Sequence, residues 1–140
     1  MAILQNLEIY SCLIMTGVIW LVQLVHYPSF LFVETSRFTE FERFHQKRIS
    51  LIVLPLMVTE ILSHMTLLYF RGISLNPLSL LSTLAIILIW TVTFFVCLPC
   101  HHRLTDGYVQ KTILSLIKAN WARTFLWSLR SILFFFAANN

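Results

Sequence analysis

From Leu78 to Cys100 the chain runs without a single charged residue. A stretch of that length meets the roughly 20 apolar residues that an α-helix needs to cross the hydrocarbon of a bilayer. It sets the terms for the rest of the chain, because composition points the same way. Hydrophobic residues make up 58% and charged residues 11%, where a soluble domain carries about a quarter charged. The net charge of +4 comes with no basic tail, RNA-binding signature or zinc-finger spacing, which excludes nucleic acid as a partner.

Three further runs predict helices. The first spans Glu8 to Val33, interrupted only by Gln23 and His26. The first basic residue of the chain is Arg37, so the cationic start of a cleaved signal is missing, and this run reads as a retained membrane helix. The second starts near Ser36 with the amphipathic SRFTEFERFHQKR and becomes apolar from Ile49 to Phe70. RGISLNP, with Gly72 and Pro77, reads as the turn into the third. LTDG then leads to a fourth helix from Tyr108 to Ala138, the least apolar, with Lys118, Asn120, Arg123 and Arg130. The expected fold is all-α: a single domain over residues 1–140, a four-helix transmembrane bundle running up-down-up-down, with both termini on the same side.

The cations are unevenly shared. Arg37, Arg43, Lys47, Arg48, Arg103, Lys111 and Lys118 lie towards the Glu34 and Asp106 loops, and the opposite side has Arg71. The positive-inside rule then puts the two loops in the cytoplasm and both termini outside, in a multi-pass protein of the inner or plasma membrane.

Two polar layers interrupt the apolar helices. Glu60 lies deep in helix two, and a rise of about 1.5 Å per residue sets it level with Trp127, between Arg123 and Arg130, with His64 level with Arg130. A charge at mid-bilayer costs about 2.5–3.5 kcal/mol, so these residues are expected to face inward and pair. Asn120, Arg123, Trp127 and Arg130 share one helical face. The plainer reading is a buried ion pair that fixes helix register. The sharper one is a pocket in which Asn120, Trp127 and Arg130 hold a cofactor or an anionic ligand, or a proton relay through Glu60 and His64.

Nearer the loops, His26 and His45 fall at similar depth on either side of the first loop, and His101 and His102 end helix three on the same side. Adjacent helical residues point about 100° apart, so at most one of His101 and His102 faces inward. Imidazole is a common ligand for Zn, Cu and Fe, which makes His26, His45 and His101 a candidate metal set, with Glu42 or Cys97 to complete it. A bis-histidine b-type haem is the other cofactor that such spacing suggests. Neither HExxH nor a paired ExxH motif is present. Cys97-Leu98-Pro99-Cys100-His101 fits both a CxxC redox string and the CxxCH of covalent haem. On the cytoplasmic side these would be reduced thiols without attached haem.

TFFVCLPCHHRL and NWARTFLWSLR together resemble the small four-helix membrane proteins related to the anthrone oxygenase family. In that family a Pro-x-Asn-x-x-Leu segment precedes a helix bearing Asn and then Arg-Thr. Pro99, His101 and Leu104 match the first segment with His in place of Asn, and Asn120, Arg123 and Thr124 match the second. The resemblance covers about a third of the chain. It implies a four-helix membrane fold and, for some members, cofactor-poor oxygenation of polyketide anthrones.

Three functions follow as expectations. One is an oxidoreductase or oxygenase-like enzyme acting on a hydrophobic substrate, with His101, His45 and Arg123 as catalytic groups. Another is an ion or proton channel, or a small-solute carrier, built on Glu60, His64 and the helix-four arginines; four helices would need a homo-oligomer to enclose a pore. A third is a non-catalytic haem-binding or accessory subunit. In each the bilayer is a partner, with a hydrophobic or anionic small molecule as ligand.

Overall fold

The computed structural model describes residues 1–72 and 76–138; Ile73 to Leu75, within the RGISLNP turn, lie outside them. Among the described residues the regular structure is helical, with no strand. Four rods follow one another. The first, α1 (Ala2–Phe32), is α-helical over Ala2–Leu21, π-helical over Val22–His26, and tightens to a 3₁₀ turn over Phe30–Phe32. The second, α2 (Thr35–Arg71), is a 34-residue α-helix from Phe38 preceded by one 3₁₀ turn. The third, α3 (Pro77–Leu104), is π-helical over Thr93–Cys97. The last is α4 (Gln110–Ala138).

The helix boundaries have local causes. Gly72 closes α2 at φ 75°, a conformation that favours glycine because it has no Cβ. Asn76 caps α3 by accepting from the Leu78 N–H, and Pro77 follows at a position whose N–H would have no helical partner. Each π turn stops two residues before a proline, at His26 before Pro28 and at Cys97 before Pro99. A proline inside a helix lacks the N–H for the carbonyl four residues back, and its ring clashes with that carbonyl. Widening the preceding turn relieves both conflicts.

Of the four rods, α1, α2 and α3 are long and apolar enough to cross a membrane. With its four Lys and Arg residues, α4 is not among them. The polarity of the bundle is inverted relative to a water-soluble one. Phe32, Tyr69, Phe95 and Ile3 stand outward and largely exposed, while Glu8, Glu42, Glu60, Asn120, Arg123 and Arg130 are buried. Water would make such an apolar exterior an aggregating surface, whereas lipid covers it at no cost.

Packing joins α1 to both α2 and α4, and α3 to α4. Among the described residues α2 approaches α3 mainly near its Leu98–Leu104 end, so the two splay apart towards the other end. The apolar core has two parts. Cys12, Met15, Ile19, Met57, Ile89 and Trp127 fill the middle, and Phe30, Phe38, Leu104, Ile113 and Leu116 fill the end near the Glu34 and Asp106 loops. Two polar layers lie within this core.

Candidate functional site

The histidine layer is built where the two π turns face the second helix. A π turn advances the chain by an extra residue, and such turns are frequent at functional sites. Here the turn in α1 ends on His26 and is followed by Tyr27, and the turn in α3 ends on Cys97, one helical turn before His101. From α2 come Glu42, His45 and Gln46. The distances define a hydrogen-bonded chain. His101 Nδ1 is 2.6 Å from Glu42 Oε1, and His101 Nε2 is 2.9 Å from the Tyr27 hydroxyl. Gln46 Nε2 braces both partners, donating to Glu42 Oε1 and to the His101 carbonyl. A carboxylate only accepts, so Nδ1 carries a proton, and a neutral ring then offers the Nε2 lone pair to the Tyr27 O–H. This orders Glu42, His101 and Tyr27 as carboxylate, imidazole and phenol.

His45 packs against His101 with ring centroids 5.4 Å apart, and its Nδ1 is 2.6 Å from His26 Nε2. Thus His26, His45 and His101 do come together, and His102 points outward and is exposed. Their geometry, however, does not fit a shared metal. Two imidazole nitrogens on one tetrahedral ion stand about 3.3 Å apart, wider than the 2.6 Å between His26 and His45, and His101 has both nitrogens engaged. A bis-histidine haem needs roughly 4 Å between the ligating nitrogens, with the macrocycle between them. Among the described residues no group of three or more His, Cys, Asp or Glu stands where it could hold a metal ion. The imidazoles hydrogen-bond to each other and to their neighbours, an arrangement that gives the expected metal or haem on His26, His45 and His101 no support.

Arg123 lies above this layer. Its guanidinium sits over the Trp127 ring at 5.1 Å, donates to Asn120 Oδ1 at 3.3 Å, and lies beside the Tyr27 hydroxyl and the Cys97 thiol. Asn120 in turn donates to Gln23 Oε1 at 2.9 Å, which ties α4 to α1. Three buried polar atoms of this region have no hydrogen-bond partner among the described residues: Glu42 Oε2, His45 Nε2 and Arg123 Nε. Buried atoms of this kind are normally satisfied by ordered water or a ligand. Cys97 is buried, Cys100 is half-buried, and neither they nor Cys12 form a disulfide.

The ionic layer lies at the Glu8 end. Arg130 is 0% exposed and uses every nitrogen: Nε to Glu60 Oε1 (2.9 Å), NH1 to the Ser82 carbonyl and hydroxyl (2.6 and 3.0 Å), NH2 to Glu8 Oε1 (3.0 Å). One guanidinium thereby joins all four helices. Trp127 Nε1 donates to Glu60 Oε2 at 2.9 Å, so Glu60 does lie level with Trp127 and Arg130. Arg123 makes no ion pair here and belongs to the other layer. Where two arginines about one carboxylate were expected, one arginine stands between two carboxylates, because α1 begins at Ala2 and carries Glu8 nearly two turns inside.

His64 completes the layer, with Nδ1 at 2.7 Å from Glu8 Oε1 and Nε2 at 3.1 Å from Thr83 Oγ1. The Thr83 hydroxyl also reaches the Ser79 carbonyl at 2.9 Å, so it bridges His64 to the backbone of α3. Two carboxylates, Glu8 and Glu60, thus share Arg130, and His64 is a further partner of Glu8. Trp127 and Arg130, foreseen as cofactor contacts, are occupied by protein groups, and Asn120 is shared between Gln23 and Arg123.

No protein-family model, curated protein or solved structure matches this chain.

Proposed function

We propose that the chain is a multi-pass membrane protein whose histidine layer is the acid–base centre of an enzyme acting on a hydrophobic, weakly acidic substrate. The reading takes the fold as a transmembrane bundle running up-down-up-down, with both termini on the outer face. Pairing of Glu8 with His64, His26 with His45, and Gln23 with Asn120 supports antiparallel neighbours. The cations gathered near the Glu34 and Asp106 loops support a cytoplasmic histidine layer.

The observation that carries the enzyme reading is the Glu42–His101–Tyr27 chain. Glu42 fixes the tautomer and orientation of His101 and stabilises the imidazolium that forms when Nε2 takes a proton. That proton comes from the Tyr27 hydroxyl, and the phenolate left behind lies beside the Arg123 guanidinium. A phenolate so placed accepts a proton from an acidic C–H or phenol of the substrate, and Arg123 holds the resulting anion. Positioned acid–base groups of this kind contribute about 10²–10⁴-fold. The resemblance to the anthrone oxygenase family suggests the substrate class: a polycyclic anthrone, whose carbanion reacts with O₂ to give the anthraquinone and water.

The proton step is separable from the oxidation. With protein in detergent under anaerobic conditions, deuterium exchange at the acidic carbon of anthrone is followed by mass spectrometry. The expected result is accelerated exchange that falls at least about 10²-fold in His101→Gln and Tyr27→Phe. Exchange at the uncatalysed rate with the unaltered protein, or undiminished exchange in His101→Gln, overturns the reading.

A further inference from the structure

The outer wall of the bundle is uncharged over a defined height. Between Arg48 and Arg71 every exposed residue of α2 is uncharged, Leu51, Leu54, Leu62 and Tyr69 among them, and Glu60 is buried. At about 1.5 Å per residue that interval measures roughly 34 Å, close to the hydrocarbon thickness of about 30 Å. The same holds on α4 beyond Lys118, where Arg123 and Arg130 are buried and Trp121, Phe125, Ile132 and Phe135 face out. The two boundaries lie at one level. Glu60 is paired with Arg130, and Arg48 and Lys118 each precede their member of that pair by about three turns.

A bilayer matched to that apolar height ends at Arg48 and Lys118, with His45 and the histidine layer one turn beyond. Five cations from three helices form a girdle about this level: Arg43, Lys47 and Arg48 on α2, Arg103 on α3 and Lys118 on α4. Arg43 and Arg103 fall within two residues of the Glu42–His101 hydrogen bond, so they share a depth. All five side chains are exposed, and none enters an ion pair among the described residues. The exposed carboxylates of this end, Glu34, Glu40 and Asp106, lie nearer the loops.

Aromatic rings mark the same boundary. The Arg48 guanidinium lies over the exposed Phe44 ring at 5.4 Å, and Trp121, one turn from Lys118, meets Trp20 edge to face at 5.8 Å. Tryptophan rings and long cationic side chains settle where hydrocarbon meets headgroups, with ring or stem on the apolar side and charge in the polar layer. A soluble acidic protein or a nucleic acid would engage the cations and leave the adjoining apolar wall bare, whereas an anionic amphiphile covers both. On the four-span reading, and independently of the acid–base chemistry, we propose that the girdle binds acidic phospholipids, their phosphates on these five cations and their acyl chains along the apolar wall. The histidine layer is thereby seated at headgroup depth. Each Lys or Arg near the surface strengthens the attraction of an acidic lipid by about fivefold, whereas phosphatidylcholine brings its own counter-charge.

The test uses the full chain in phosphatidylcholine nanodiscs at about 0.15 M salt, with a minor fraction of brominated phosphatidylglycerol as the probe. Acyl bromines quench tryptophan on contact; Trp20 and Trp121 report near the girdle, and Trp90→Phe removes the half-buried tryptophan farther from it. The expected result is a relative affinity for phosphatidylglycerol over brominated phosphatidylcholine of at least about fivefold, lost when Arg48→Gln and Lys118→Gln are combined. Arg71→Gln, at the opposite end, is expected to leave it unchanged. Bromines near the glycerol end of the chain are expected to quench more than bromines near its methyl end. Equal quenching by the two lipids leaves the girdle to a soluble acidic partner and overturns the proposal. So does an effect of Arg71→Gln as large as that of the paired variant, or stronger quenching by the deeper bromines, which would put the girdle inside the hydrocarbon. No quenching by either lipid would remove the four-span reading itself, and the proposal with it.

Discussion

Replacing Arg130 by Met tests whether the ionic layer is a closed unit. The substitution removes the group that contacts Glu60, Glu8 and Ser82, and leaves two buried carboxylates without their guanidinium. Removing one partner of a buried, hydrogen-bonded ion pair costs about 3–5 kcal/mol. Glu60→Met breaks the same buried pair from the other side, taking the acceptor from Arg130 Nε and Trp127 Nε1, at a similar cost of about 3–5 kcal/mol. The double variant behaves differently. It deletes one charge of each sign and leaves Glu8 paired with His64, so its cost reduces to the lost acceptor of Trp127 Nε1, about 1–3 kcal/mol. Equilibrium unfolding by SDS in mixed micelles, followed by far-ultraviolet circular dichroism, measures all three. The double variant is expected to be more stable than either single one, where independent sites would add to about 6–10 kcal/mol. A double variant as unstable as the sum of the singles would refute the closed-unit argument and mean that water already compensates these charges.

Gln23→Leu leaves the buried Asn120 amide without its acceptor and is expected to cost about 1–3 kcal/mol in the same unfolding assay; a cost near zero would show that the amide finds another partner. Adding about 100 μM zinc should move the melting temperature by less than about 1 °C, because binding to the folded state would show as stabilisation, and His26 and His45 stand too close to share an ion. Pro99→Ala lets the π turn relax to α and turns His101 by about 100° relative to α2; the downfield proton resonance of the Glu42–His101 bond should vanish, as in Glu42→Gln. In a background without Cys12, Cys97 and Cys100, a membrane-impermeant maleimide is expected to label Thr105→Cys only from the cytoplasmic side; labelling from outside would reverse the orientation.

Hydropathy locates α1, α2 and α3, since apolar runs of that length leave few alternatives, whereas α4 falls short of that measure. The ends were less legible. The apolar run places the first helix from about Glu8, yet it starts at Ala2 and buries that charge against Arg130. No local signal separates a carboxylate at a helix end from one paired with a residue 122 positions away. Periodicity foresaw Glu60 beside Trp127 and Arg130, because depth follows from the helical rise. It put Arg123 in the same cluster, but the shared face extends over more than one layer, and Arg123 belongs with Tyr27. The three histidines were legible by depth. Their ring contacts were not, because the π turns before Pro28 and Pro99 change the angular phase of the residues that follow. Tyr27 carries no sequence signal beyond its place next to Pro28.

The Arg130 contacts also bear on how the chain is made. Every group that receives this guanidinium lies on α1, α2 or α3, which leave the ribosome before α4 does. With Arg123 and Arg130 each costing about 2.5–3.5 kcal/mol in lipid, the last helix gains little by partitioning alone. On the proposed four-span reading, its entry is capture by acceptors already waiting in the nascent protein. Until then Glu8 and Glu60 are held without their cation, so a stalled chain lacking α4 is an unfinished state that membrane quality control can distinguish from the finished one.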